Sequence, residues 1–305
     1  MSNTPVASIG RTLFGNAYLL LILTTASWAG NAVASRFAVG EISPMALTGL
    51  RWVGVVLLVA VFARGAIAKD WPVMRNHLGY LAALGALGFA VFNGLFYLAA
   101  QTTTAINLGI IQGAIPIFVL VGAFLSYRTP VTWIQAIGVC VTMGGVAIIT
   151  SHGEFARLAA LEFHVGDMLM LGACAMYAGY TVALRKRPPV SGIAMFSVMS
   201  IAALFASVPL VTVEYLSGDL QWPTQTGWIV LLYVVLFPSF LAQLFFMRGV
   251  QLIGPGRAGV FVNLVPIFAS IFSVVLLDED FQTYHAMALV FVLGGIGIAE
   301  WARRG

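Results

Sequence analysis

Charged side chains fall in short clusters along this chain, and the stretches between them are apolar over roughly the length of a bilayer-spanning helix, about 20 residues. Asp, Glu, Lys and Arg are absent between Arg75 and Arg128, from Thr12 to Ser35, from Ala258 to Leu277 and from Phe281 to Ala299. With charged and turn-forming residues as punctuation, the pattern predicts ten helices, at 16–35, 44–63, 77–98, 104–125, 131–150, 167–184, 192–213, 227–247, 257–277 and 283–302. The connections carry breakers such as Ser43-Pro44, Pro188-Pro189, Trp222-Pro223 and Gly254-Pro255-Gly256. They are short, so consecutive helices are antiparallel. Composition agrees: 60% of the 305 residues are hydrophobic and 9% charged, with mean hydropathy +0.97, against about 25% charged in a soluble domain. The expected fold class is an all-α integral membrane protein. Arg11 and the apolar run after it resemble a cleaved signal, but the run exceeds the usual length and many equal ones follow, so it reads as the first span.

Charge then orients the spans. Alternate connections hold Arg11; Arg64, Lys69 and Arg75; Arg128; Arg185, Lys186 and Arg187; Arg248 and Arg257; and Arg303 and Arg304, whereas the opposite side holds only Arg36 and Arg157. Basic loops stay in the cytoplasm. Both termini are therefore expected there, in a bacterial inner membrane. The same spreading of basic residues over loops argues against a nucleic-acid partner, despite a net charge of +4. Cys140 and Cys174 lie in apolar segments and suggest no disulfide framework.

The chain also repeats itself. A shift of 150 residues lays Phe96, Gln101, Gly109, Pro116-Ile117-Phe118, Ala136, Gly144-Gly145 and Ile148 on Phe246, Gln251, Gly259, Pro266-Ile267-Phe268, Ala286, Gly294-Gly295 and Ile298. A shift of 149 lays Trp28-Ala29-Gly30 on Tyr177-Ala178-Gly179. We divide the chain into repeats 1–150 and 151–305. Five helices per repeat is an odd number, so the second repeat is inverted relative to the first. Inverted repeats suit alternating access, two related halves opening in turn around a site near the midplane.

The passage Ala99-Ala100-Gln101, Gly109 and Pro116, its echo at Gly249-Val250-Gln251, Gly259 and Pro266, and the early Ser27-Trp28-Ala29-Gly30 resemble the drug/metabolite transporter superfamily. Within it, the chain is similar to the EamA-type ten-helix branch of bacterial amino-acid and metabolite exporters. Arg128-Thr129-Pro130 departs from the acidic residues expected there by symmetry with Asp278-Glu279-Asp280.

Polar side chains inside spans should face protein or water. Asn31, Asn93, Gln101, Asn107, Gln112, Gln243, Gln251 and Asn263 are thus candidates for a cavity wall, with helix-to-helix hydrogen bonding as the alternative. Trp28 and Tyr177 are repeat equivalents, as are Asn31 and Tyr180. Tyr80, Phe92, Phe96 and Tyr97 add aromatic surface on helix three. We take Trp28, Asn31, Asn93, Tyr97, Gln112, Tyr177, Tyr180, Gln243 and Asn263 as the candidate substrate-binding set. Arg51 lies inside helix two, where an arginine costs about 2.5–3.5 kcal/mol on insertion scales. A substrate carboxylate is one partner for it; snorkelling to the interface or capping helix carbonyls is the reading its position favours. Pro116 and Pro266 each free a carbonyl in mid-span, as gating hinges or static kinks. Gly144-Gly145 and Gly294-Gly295 suit close helix packing.

An intramembrane enzyme or a receptor is the rival class, but paired carboxylates, metal-ligand spacings and nucleophile motifs are missing from the spans, and no cofactor or metal is expected. The expected partners are a small solute and membrane lipid; the sequence leaves oligomeric state open. An amide-and-aromatic cavity suits zwitterionic amino acids, aromatic ones included, and the resemblance implies export. With carboxylates only near helix ends, the expectation is facilitated diffusion; the alternative is a proton-coupled exporter of amphiphilic cations, with His77 and Glu300 as the groups to suspect.

Overall fold

A computed structural model describes residues 14–100, 102–103, 105–160, 162, 164–276 and 280–301. Gln101, Asp278, Glu279, Arg303 and Arg304 lie outside the described residues, as does the side chain of Tyr97. The ten membrane helices are α1 (Ala17–Phe37), α2 (Pro44–Phe62), α3 (Leu78–Gly85, Ala86–Val91 and Phe92–Ala100), α4 (Ala105–Gly113 and Ile115–Tyr127) and α5 (Trp133–Thr150), followed by α6 (Val165–Ala183), α7 (Gly192–Leu216), α8 (Gln225–Val234, Val235–Leu241 and Ala242–Ile253), α9 (Pro255–Val260, Phe261–Asn263 and Leu264–Leu276) and α10 (Thr283–Trp301). Among the described residues nine helical segments are long and apolar enough to cross a membrane; α1, at 21 residues, makes the tenth. A short helix, Arg64–Met74, joins α2 to α3.

Helix ends are closed by side chains, as the orphan donors of a first turn require. Thr132, Ser191 and Thr224 cap α5, α7 and α8 by accepting from Gln135 N, Ala194 N and Gly227 N. The start of α2 is capped from another helix: Glu214, near the end of α7, accepts from Met45 N and Ala46 N at 3.0 Å each and from Ser43 Oγ at 2.6 Å. A carboxylate there also meets the positive end of the helix dipole. Between α8 and α9 the chain reverses at Gly254, whose φ of 84° suits glycine, before Pro255 opens the next helix.

The two repeats interdigitate. Helix α1 packs on α8 and α9, and its counterpart α6 packs on α3 and α4; α2 lies on α7, and α5 on α10. The last contact shows the symmetry at atomic scale. A Cβ on Gly295 would stand 2.6 Å from Gly138 O, and one on Gly145 would stand 3.0 Å from Ala288 O. Gly145 and Gly295 are repeat equivalents, and so are Gly138 and Ala288, so the same backbone approach occurs twice with the partners exchanged. Small residues allow this close crossing, which supplies dispersion contact where no hydrophobic effect acts between helices.

Four helices are interrupted, in matching places. Turns of π-helix occupy Ala86–Val91 in α3 and Val235–Leu241 in α8. Helix α4 breaks at Ala114, and α9 passes through a 3₁₀ turn at Phe261–Asn263. Pro116 and Pro266 are not in helix middles but in the first turn after each break, where a missing N–H costs least. Replacing Gly295 with Val should force α5 and α10 apart, at an overpacking cost of about 1–3 kcal/mol. A thermal melt of detergent-purified protein should show a lowered midpoint for Gly295→Val and an unchanged one for Gly294→Ala, whose Cβ would meet nothing within 4 Å.

Candidate functional site

A cavity of about 420 Å³ lies between the two repeats. Its wall follows the internal symmetry. Trp28 faces it with Tyr177, Gly88 with Pro238, Phe89 with Ser239, Asn93 with Gln243, Gln112 with Val262, and Ile115 with Val265. All six pairs are repeat equivalents. Both π turns and both helix breaks therefore border the cavity, bringing polar backbone and side chains to a depth that continuous helices would leave apolar.

The second repeat has no counterpart for one polar corner. Arg51, 6% exposed, donates from Nη2 to Asn31 Oδ1 at 3.1 Å, and both residues line the cavity. Arg51 thus does not snorkel to the interface as its position favoured; the Asn31 amide draws it inward. The position equivalent to Asn31 is Tyr180, which is buried among Phe89, Tyr177 and Phe246. Among its described lining residues the cavity accordingly carries one cationic group and no carboxylate or histidine.

Aromatic rings form the remaining wall. Trp28 stands edge-on to Tyr177 at 5.9 Å, and Phe92 lies 5.3 Å from Tyr177. Trp52 stacks on Phe89 at 5.1 Å with the ring planes 8° apart. Trp28 Nε1 donates to Pro238 O at 3.2 Å, which both orients the indole and occupies a π-turn carbonyl. On this wall the buried atoms Trp52 Nε1, Tyr177 Oη and Gln243 Oε1 have no hydrogen-bond partner among the described residues. Each unmet group of this kind costs about 1–3 kcal/mol. Water or a solute is what would meet it.

The cavity brings together Trp28, Asn31, Asn93, Gln112, Tyr177 and Gln243 from the sequence-derived set, with Arg51. Tyr180 and Asn263 lie outside this lining. Both are almost wholly buried, and Asn263 instead donates to Thr142 Oγ1 at 2.9 Å, tying α9 to α5. Asn107 serves a separate cluster at the far end of α4, donating to Asp167 Oδ2 at 2.9 Å while Thr103 Oγ1 hydrogen-bonds the same carboxylate. Tyr80 donates to Ala183 O near the Arg-rich end, and Gln251 accepts from Arg248 at 2.7 Å. Trp52, Pro238 and Ser239 were missed. Phe-Pro-Ser inside an apolar run was a legible signal for the last two, since a proline there must interrupt the helix.

At the Arg-rich end α4 and α9 touch, Gly259 against Val119 and Gly256 against Leu120. Arg257 of α9 bonds Glu300 of α10 through Nε at 2.6 Å, and Tyr18 of α1 donates to the same carboxylate at 2.7 Å.

Comparison with known proteins places this architecture. The uncharacterized transporter YetK of Bacillus subtilis is 27% identical over 92% of this chain and 85% of its own. The uncharacterized inner membrane transporter YedA of Escherichia coli K12 is 22% identical over 91% and 87%. The S-adenosylmethionine/S-adenosylhomocysteine transporter of Chlamydia muridarum is 21% identical over 92% and 90%. A crystal structure of a protein 18% identical superposes with a TM-score of 0.77 over 94% of this chain and 97% of that one, a likeness of fold. The model of the EamA-like transporter family matches twice, over residues 15–151 and 164–300. With ten membrane helices in two repeats and a cavity between them, the chain belongs to the EamA-like transporter family and is a multi-pass membrane transporter.

Proposed function

We propose that this transporter exports α-amino acids, aromatic ones included, and related small metabolites from the cytoplasm across the inner membrane, by alternating access through the central cavity. Repeats 1–150 and 151–305 are the symmetry-related units that exchange conformations, with Pro116 and Pro266 marking the points of flexure. The observation that carries the reading is the cationic corner, Arg51 with Asn31, alone of its charge among the described lining residues, in a cavity otherwise lined by amides, aromatic rings and a few aliphatic side chains. A guanidinium in a poorly hydrated site favours a carboxylate. Gln243 Oε1, which lacks a partner among the described residues, can accept from an ammonium, and ring faces attract the same cation. The Trp52 and Phe89 stack, with Phe92 and Phe96, offers apolar surface to the side chain.

The Chlamydia muridarum relative supports a second, larger solute with the same amino-acid end, because S-adenosylmethionine and S-adenosylhomocysteine each carry an α-amino-acid group joined through sulfur and a ribose to an aromatic base. It belongs in any flux panel. An amphiphilic cation fits less well, since Arg51 would repel it.

Removing one charge-assisted contact costs about 1.5–3 kcal/mol, so liposomes holding Arg51→Gln protein should carry amino acids about tenfold or more slowly at normal protein recovery. Tyr177→Phe should slow them by less. Faster flux of amphiphilic cations through Arg51→Gln, with no amino-acid flux in the parent protein, would reverse the substrate assignment. The described cavity lining lacks a carboxylate or histidine, and Glu300 is held by Arg257 and Tyr18; on this basis transport follows the solute gradient alone. With pH and voltage clamped, flux should stop at equal concentrations, and accumulation driven by an imposed pH gradient would reveal a proton-coupled step. Both termini and the Arg-rich face are cytoplasmic in this reading. Asp219→Cys in intact cells should then react with an impermeant thiol reagent while Lys186→Cys should not.

A further inference from the structure

The Arg-rich end holds a second cavity, of about 280 Å³, where the ends of α4, α5, α6, α8 and α9 meet. It is separate in its lining from the central cavity and draws on both repeats. Arg185 and Arg187 line it, and no Asp or Glu does. Arg185 is held in place, its Nη1 donating to Thr129 Oγ1 at 2.7 Å and its guanidinium 4.7 Å from the centre of the Tyr127 ring. Arg187 is partly buried, and burial together with the charge of Arg248 pulls its pKa below the ordinary arginine value. The exposed Arg185 and the half-buried Arg187 thus border one cavity whose described lining holds no acid to offset them. A half-buried positive charge beside other positive charges is stabilised when an anion joins it.

A buried amide faces the same space. Gln135 lines this cavity and is 4% exposed. Its backbone N–H reaches Thr132 Oγ1, but its carboxamide makes no hydrogen bond to any described residue; Nε2 lies 3.6 Å from where a Cβ on Gly256 would stand. The carboxamide is left for an occupant of the cavity to meet. Two guanidinium groups from the turn that follows α6 and an amide donor from α5 match a group with several anionic oxygens facing different ways, and arginine forks bind phosphate oxygens in pairs.

We propose that this cavity binds a phosphate group, carried either by an anionic lipid headgroup or by a soluble phosphate compound. Basic pockets between membrane helices at the level of the headgroups suit the first source. Because Leu120 and Gly256 also border the cavity, an occupant braces the contact of α4 with α9. Bound phosphate therefore favours the state in which these two helices touch. The proposal does not depend on which solute the central cavity carries.

The test uses the full chain in neutral detergent, with dioleoylphosphatidylglycerol, dioleoylphosphatidylcholine and inorganic phosphate added separately. Thermal midpoint and native mass spectrometry report binding. Phosphatidylglycerol or inorganic phosphate should raise the midpoint of the parent protein and of Lys186→Gln, which removes a neighbouring charge outside the lining. The apparent affinity should fall about tenfold, or about 1.4 kcal/mol, in Arg187→Gln and in Gln135→Leu. Arg187→Lys, which keeps the charge without the planar fork, should fall between and serves if Arg187→Gln does not fold. An effect of phosphatidylglycerol alone assigns a lipid, and an effect of inorganic phosphate assigns a soluble compound. No stabilisation by either, stabilisation by phosphatidylcholine as strong as by phosphatidylglycerol, or an equal effect in Arg187→Gln, Gln135→Leu and the parent overturns the proposal.

Discussion

Within the hydrocarbon of a bilayer a backbone N–H or C=O must find its partner inside the protein. That requirement makes every departure from regular α-helix conspicuous, because each one strands a polar group that something else must meet. Here the departures sit in α3, α4, α8 and α9, and side chains answer several of them. Asn93 Nδ2 donates to Phe89 O at 2.8 Å, Ser239 Oγ to Val234 O at 2.6 Å, and Trp28 Nε1 to Pro238 O at 3.2 Å. The residues that repair the helices are also cavity residues: Asn93, Ser239 and Trp28 all line it. Repair of the backbone and construction of the cavity are therefore one design problem, and polar substitutions on this wall act on both.

Much of this was legible in the sequence. Apolar runs locate helices well when the solvent is lipid, since the length of a span is imposed from outside; Pro44 and Thr283 begin the second and tenth helices where the pattern puts them. The 150-residue echo correctly paired Asn93 with Gln243 across the cavity. Periodicity could not say which polar residues face inward. Asn263 and Tyr180 satisfy the same pattern as Asn93 and Tyr177, and only the crossing of α9 on α5 and the packing of Phe89 and Phe246 turn them away. Arg51 misleads for a related reason: its height in the membrane allows an escape to water, and the competing attraction, Asn31 on the preceding helix, is 20 positions distant in the chain. Trp52 carried no signal apart from its neighbour.

The scaffold is symmetric and the chemistry is not. Matched glycines, π turns and helix breaks equip both halves for the same motion, yet Arg51 and Asn31 belong to the first repeat alone. Under the proposed function, a solute anchored there would stay with the helices of one repeat while the other moves around it. Duplication would then supply the mechanics, and divergence of a few side chains the preference for one kind of solute.

Interdigitation also bears on how the chain is made. Helix α1 has its main partners in α8 and α9, which leave the ribosome some 200 residues later. During synthesis the first helix must wait in lipid, or against a chaperone of the insertion machinery, with the Trp28 indole N–H unmet until Pro238 arrives. Halting translation after the fifth helix would release a segment whose first helix lacks the neighbours it has in the finished protein, and quality-control proteases that survey the membrane for exposed polar groups would find the Trp28 indole N–H without its Pro238 carbonyl.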